Sequence, residues 1–458
     1  MLKEIGTANR RDAYRLLQCL TVAIRPLRLE ELAEILALDF DGTKEGIPVL
    51  KEDWRWKDQQ QAVLSTCSSL VAVVKDGSHY VVQFSHFSVK EFLTSDRLAA
   101  SSTDISRFHI LPKPAHTVIV KACFGILLRS DIGVVNAEAQ NNSPLAEYAA
   151  MHWMQHSQFE VLTYLQVGML PLFDPGKPYF EAWLKLYEND PGWYSFISYG
   201  TKRGPPLYYA SLYGIRDLVV HLIAKHPQDV DTQGGRCLSP LVAALYNRHF
   251  ETAELLYQHG SDIGVRGREN RTLLHAASEG GFVDIAQWLS VHCVGAHSQQ
   301  GSDKTPLHPA EANVTGRLGH CIRVDDTDNI NHTPLHVACL YRRFEMVRLL
   351  IEHGADVNAR GKYYDTPLHL ASYSGCADTV RLLIKHGAEV NSEDQWHCTP
   401  LHLASLSGRA EILRLLGEHG ACINARDKCD GYKYRPYLRN HSMYSTGRQM
   451  SHTPSFWR

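Results

Sequence analysis

One hexapeptide constrains this chain more than any other feature. Thr333-Pro334-Leu335-His336-Val337-Ala338 returns as Thr366-Pro367-Leu368-His369-Leu370-Ala371 and again as Thr399-Pro400-Leu401-His402-Leu403-Ala404. The spacings are 366 − 333 = 33 and 399 − 366 = 33. Each copy reads as the start of a short helix. Its threonine is an N-cap, accepting from a backbone N–H of the first turn. Proline takes the first helical position, where a missing N–H costs nothing. The histidine, three residues after the threonine, is placed to reach back to the cap. Gly375 closes that helix, Val380-Arg381-Leu382-Leu383-Ile384 supplies the apolar stripe of a second one, and Gly387 follows it as a left-handed residue. A single pair of helices has nothing to cover its own apolar face, so the copies must stack and share a core.

A period of 33 with this hexapeptide resembles the ankyrin repeat. The resemblance implies a helical solenoid whose hairpin tips and first helices line a groove that binds other proteins. Reading the period backwards gives Thr272, Ser239 and Pro205 as earlier openings, each followed by an apolar second helix. The unit opening at Thr305 breaks the rule, because Thr333 follows after only 28 residues. Pro309 falls inside its first helix, at a cost of ~3 kcal/mol. We expect about seven units over 205–426, with the one at 305–332 degenerate and an irregular seam dividing the array there. Three aromatic and polar departures loosen single units: Arg342 replaces a first-helix glycine, and Tyr364 and His397 replace hairpin glycines. Residues 427–458 are polar, aromatic and aperiodic, the composition of a disordered tail. No polar-faced terminal repeat is recognisable, which leaves the apolar end of the array for the tail or a partner to cover.

The first hundred residues read differently. Helices are expected at Arg11–Ile24, Leu29–Leu38 and Asp58–Ser69. Val71–Val74 and Tyr80–Phe84 form a β-hairpin around Lys75-Asp76-Gly77-Ser78, and a last helix opens at Ser88 on the capping box Ser88-Val89-Lys90-Glu91. Three helices and a terminal hairpin outline a winged helix over residues 8–105. Arg25-Pro26-Leu27-Arg28-Leu29-Glu30-Glu31-Leu32 and Phe84-Ser85-His86-Phe87-Ser88-Val89-Lys90-Glu91 resemble a particular one. It is the domain that follows the NACHT module in fungal NLR-like proteins, named also after GPI inositol-deacylase. A helical spacer follows over 106–200, where Trp153 and Trp183 read as packing residues rather than a cofactor box. The fold class is therefore mainly all-α: a winged helix with a small hairpin, a spacer, and a repeat solenoid.

The same residues bound the function. A formal charge of −2 gives no field for nucleic acid, and the helix expected to read a groove carries Glu30, Glu31 and Glu34 against Arg28 alone. Eleven scattered cysteines, no secretory signal and no run of 18 apolar residues point to the cytoplasm and away from membranes. There is no GxxxxGK[ST] loop, so any NTPase module belongs to a longer form of the protein. The family resemblance implies that His86 senses nucleotide, whereas the residues alone read it as a cap for the following helix. No HExxH, GxSxG or zinc spacing occurs, and the repeat already accounts for nine of the 25 histidines, among them His402, which lies near His397 and Cys398. We expect no catalytic residues, no metal and no cofactor. Binding then falls to the groove, with Tyr341, Lys362, Tyr363, Tyr373, Gln395 and Trp396 as the candidate anchors. The alternative for those residues is solvated loops with incidental aromatics. The expected function is a non-catalytic protein-binding scaffold, the sensor part of an NLR-like receptor. The alternative is the C-terminal part of a nucleotide-dependent switch ATPase.

Overall fold

The computed structural model describes residues 2, 5–41, 46–101, 104–129, 143–157, 165–188, 203–235, 238–293 and 322–426. They fall into two units, Met1–Lys225 and His226–Arg458. The expected tail at 427–458, and residues 305–321 of the unit expected to be degenerate, lie outside the described residues.

In the first unit, α1 (Arg10–Val22), α2 (Leu29–Leu36) and α3 (Gln59–Cys67) precede a hairpin of β4 (Val71–Asp76) and β5 (His79–Phe84). A third strand, β1 (Leu27–Arg28), adds to the hairpin in the order β1-β5-β4, with Leu27 opposite Val82 and Val82 opposite Val73. Two residues are too few to show alternation, so β1 escapes a reading by pattern. The same holds for β2 (Leu38–Asp39), which begins at the last residue of the expected second helix, and its antiparallel partner β3 (Val49–Leu50).

The acidic helix α2 is an interior element. Glu31 and Glu34 are buried with Leu32 and Ile35. Arg25 meets Glu31 at 2.5 Å, and Arg55 meets Glu34 at 2.6 Å. The Leu145 N–H donates to the other Glu34 oxygen at 2.7 Å. Two of the charges counted against groove reading are thus internal, and the helix is held between its own domain and the spacer. The helix that directly precedes the hairpin is α3, which has no lysine or arginine.

After α4 (Phe87–Leu93) and α5 (Asp96–Ala99), the spacer consists of α6 (Pro112–Leu127), α7 (Leu145–Ser157), α8 (Leu165–Leu172) and α9 (Tyr179–Glu188). Pro171 lies within α8. Trp153 and Trp183 are buried, as expected of packing residues, with ring centroids 6.4 Å apart. Trp183 and Phe180 also meet Tyr209 at 5.5 and 5.7 Å. Tyr209 belongs to the first repeat pair, α10 (Pro206–Leu212) and α11 (Arg216–Lys225), so aromatic packing joins the spacer to the start of the repeats.

In the second unit the pairs continue: α12 (Pro240–Tyr246) with α13 (Phe250–Gln258), α14 (Leu273–Gly280) with α15 (Val283–Cys293), and α16 (Pro334–Leu340) with α17 (Phe344–Glu352). Then come α18 (Pro367–Ser374) with α19 (Ala377–Lys385), and α20 (Pro400–Leu406) with α21 (Ala410–Glu418). The described residues do not divide at the expected seam. Helix α14 packs directly on α16. His275 donates to the His332 carbonyl at 2.9 Å, and the Asn329 N–H donates to the Glu269 carbonyl at 2.9 Å. The physical reason is one of length. Residues 272–293 and 322–332 supply 22 and 11 residues, which together make the 33 of one repeat.

Candidate protein-interaction site

Each motif threonine and histidine closes a reciprocal cap at the start of its first helix. The Thr366 N–H donates to His369 Nδ1 at 3.1 Å, and the same bond recurs at Thr272, Thr333 and Thr399 at 3.2, 3.1 and 3.0 Å. Because Nδ1 accepts, the ring proton sits on Nε2. That proton is donated onward to a backbone carbonyl: Asp365 from His336 at 3.3 Å, and Cys398 from His369 at 3.0 Å. One neutral imidazole therefore caps its own helix and ties it to the next hairpin. Burial lowers the pKa of His275 and His369, and burial with His332 alongside pushes His336 down to about 3.

The hairpins project as a row. Asp328 Oδ1 accepts from the N–H groups of Ile330 and His332, and Asp394 Oδ1 from those of Trp396 and Cys398. Neighbouring tips are joined by the main chain, with the Lys362 N–H donating to Ile330 at 2.8 Å and the Gln395 N–H to Tyr363 at 2.9 Å. These bonds fix the spacing of the tips independently of their side chains.

The candidate residues take two kinds of position. Lys362 and Gln395 are exposed at the tips, and Tyr363 and Trp396 are half-buried beside them. The Tyr363 and Trp396 rings stack with centroids 5.6 Å apart and planes 25° apart. Trp396 and Tyr373 pack against buried Cys398 and Leu403. Tyr341 is half-buried one repeat earlier, at the C-terminus of α16. The structure thus brings Lys362, Tyr363, Tyr373, Gln395 and Trp396 onto two adjacent units as a platform whose aromatics are already ordered.

Three residues next to the tips are internal. His332, Asp365 and Cys398 are buried, since the position before each motif threonine faces the neighbouring repeat. Sequence reasoning undervalued Tyr364. It is 55% exposed at a tip with φ +62°, a conformation that costs a bulky residue roughly 1–2 kcal/mol. The signal was a tyrosine standing where the repeat pattern has glycine.

His86 caps α4 directly. Its Nδ1 accepts from the Ser88 N–H at 3.2 Å and lies 2.7 Å from Ser88 Oγ. The cap of α4 is therefore His86 and not the Ser88 box, because the helix starts one residue earlier, at Phe87. Among the described residues, no group of three or more His, Cys, Asp or Glu could hold a metal ion. No helix among them is long and apolar enough to cross a membrane.

Capped helix pairs at a 33-residue period, preceded by three helices and a three-stranded wing, define an ankyrin-repeat protein with an N-terminal winged helix. Comparison with family models agrees. Ankyrin-repeat models match residues 207–300, 319–371 and 360–427, and the model for the "GPI inositol-deacylase, winged helix domain" matches residues 2–104.

Among curated proteins, the chain is 29% identical over 278 residues to the azaphilone pigments biosynthesis cluster protein L of Monascus ruber, covering 55% of this chain and 56% of that protein. It is 28% identical over 170 residues to human inversin, 34% of this chain and 16% of the relative. It is 26% identical over 188 residues to alpha-latrotoxin-Lg1a of Latrodectus geometricus, 39% of this chain and 13% of that protein. The chain spans little more than half the length of the Monascus relative and a small part of the other two.

Proposed function

We propose that this chain is a non-catalytic scaffold that binds a protein partner along the hairpin tips of its last three repeats. Lys362, Tyr363, Gln395 and Trp396 form the centre of the surface, Tyr364 its exposed anchor, and Tyr341 and Tyr373 its wall. The observation that carries this reading is the Tyr363–Trp396 stack beside exposed Tyr364. Aromatics held rigid by their neighbours lose little entropy on binding, which is the property of interface hot spots. The ankyrin models support a protein partner as the class of ligand. The winged-helix match supports a place beside a NACHT-type NTPase module in a longer form, as the cytoplasmic sensor part of an NLR-like receptor.

The test is affinity retention from the source cytosol by wild type and by Lys362→Glu plus Tyr364→Ala. Both positions are exposed, so the melting temperature should hold. A protein retained by wild type and lost by the variant supports the proposal, and equal retention by both contradicts it.

A second reading rests on exposed His86 and on Phe87, 70% exposed beside it at 4.3 Å between rings. In that reading the pair faces nucleotide held by an NTPase module of a longer chain. Calorimetry of this chain with ADP tests whether it binds nucleotide by itself.

A further inference from the structure

The hairpin tips ahead of α16 and α20 have every main-chain donor engaged. In the tip at 328–332, the N–H groups of Asp328, Asn329 and Asn331 donate to the carbonyls of His332, Glu269 and Asp328. Those of Ile330 and His332 go to Asp328 Oδ1. The tip at 394–398 repeats the set. Asp394, Gln395 and His397 donate to the carbonyls of Cys398, Tyr363 and Asp394, and Trp396 and Cys398 donate to Asp394 Oδ1. A partner strand laid along the row would find these N–H groups already taken, so main-chain pairing is not how the tips hold a ligand.

What the tips offer is side chains. The nine residues at 329–331, 362–364 and 395–397 include the rings of Tyr363, Tyr364, Trp396 and His397, one charge, Lys362, and no acid. Tyr364 and His397 hold the same place in successive tips, on left-handed backbone at φ +62° and +57°. That conformation is strained for both, which marks a surface used through its side chains.

The spacing selects the ligand's backbone. Helix α16 packs on α18 and α18 on α20, and packed helices lie about 8–10 Å apart. A polyproline II helix makes one turn in three residues and about 9 Å, so every third residue meets the next tip in register. Its backbone needs no hydrogen bonds from a partner, and prolines dock on aromatic-lined surfaces.

We propose, on the basis of the docking surface described above, that the partner presents a proline-rich segment in the polyproline II conformation. Prolines three residues apart lie over Tyr364 and the Tyr363–Trp396 stack, and a carboxylate lies against Lys362. The single charge of the row is positive, which sets the sign of the charge it meets.

Selection of random peptides displayed on phage tests this, with the full chain as bait beside the variant carrying Lys362→Glu and Tyr364→Ala. Wild type should enrich Pro-x-x-Pro sequences that also carry Asp or Glu, and the variant should not. A synthetic peptide of the enriched sequence should bind Lys362→Glu alone about tenfold more weakly, and should bind wild type more weakly as salt is raised. Equal binding to Lys362→Glu would overturn the proposal. So would enrichment of proline-free or amphipathic helical peptides that still need Lys362 and Tyr364, although the docking surface itself would then stand. Enrichment indifferent to both substitutions, or no enrichment, would overturn the docking surface as well.

Discussion

His332 Nε2 and Asp365 Oδ2 lie 2.8 Å apart, both side chains almost fully enclosed, and join two successive repeats one residue ahead of their capping threonines. Gly361 makes the space for them. A Cβ built there would lie 2.5 Å from Asp365 Oδ1 and 2.8 Å from the His332 ring. Gly361→Ala should therefore destabilise the array by about 1–3 kcal/mol through overpacking. Asp365→Ala should cost a similar amount by stranding buried polar groups. Urea midpoints of the two variants measure both costs, and wild-type midpoints would contradict the packing described.

Acid should loosen the array through its capping histidines. His275, His336 and His369 are neutral in the fold, with His336 held at about 3, whereas the unfolded chain titrates near the ordinary 6.5. Between those values the unfolded state binds more protons. Stability is then constant above pH 7 and falls as pH drops below about 6.5, by up to about 1.4 kcal/mol per pH unit for each fully shifted histidine. Denaturant midpoints measured from neutral to acidic pH test the sign.

Left-handed backbone at non-glycine residues should yield to glycine. Arg342 has φ +59° and Tyr364 φ +62°, at positions where the repeat pattern has glycine. Arg342→Gly and Tyr364→Gly should each stabilise the fold by about 1 kcal/mol. The reverse change, Gly375→Ala at φ +88°, should destabilise it, since the new Cβ also meets the Arg409 guanidinium. Thermal melts read all three. If Tyr364 serves binding, Tyr364→Gly gains stability and loses the partner.

Deleting residues 294–321 removes 28 residues, and the spacing from Thr272 to Thr333 falls from 61 to 33. Because α14 already packs on α16, the deletion should leave the denaturation midpoint unchanged. A lower midpoint would assign those residues a part in the stack.

Much of this fold is legible in the sequence because its determinants are local. Thr366, Pro367 and His369 specify a cap within four residues, and Gly375 specifies the end of the same helix. The hairpin at 71–84 shows through its alternation and its turn. What stays hidden is non-local. Glu31 and Glu34 read as a solvated acidic face until Arg25 and Arg55 are brought to them. The motif at Thr305 opens with the Thr-Pro-Leu-His of a repeat, yet the bonds of His275 and Glu269 run to residues on the far side of it. Of the residues proposed for the interaction surface, Lys362 and Gln395 are exposed at the tips. The burial of His332, Asp365 and Cys398 depends on the neighbouring repeat, which a single motif does not show.

The most direct measurement places a photo-crosslinking amino acid at position 364, on the row of tips, or at position 348, where Arg348 is exposed on a second helix. Each full chain is irradiated in source cytosol, and the products are identified by mass spectrometry. A partner captured from position 364 and not from 348 is the predicted result. Capture only from 348, or equally from both, would contradict recognition along the tips.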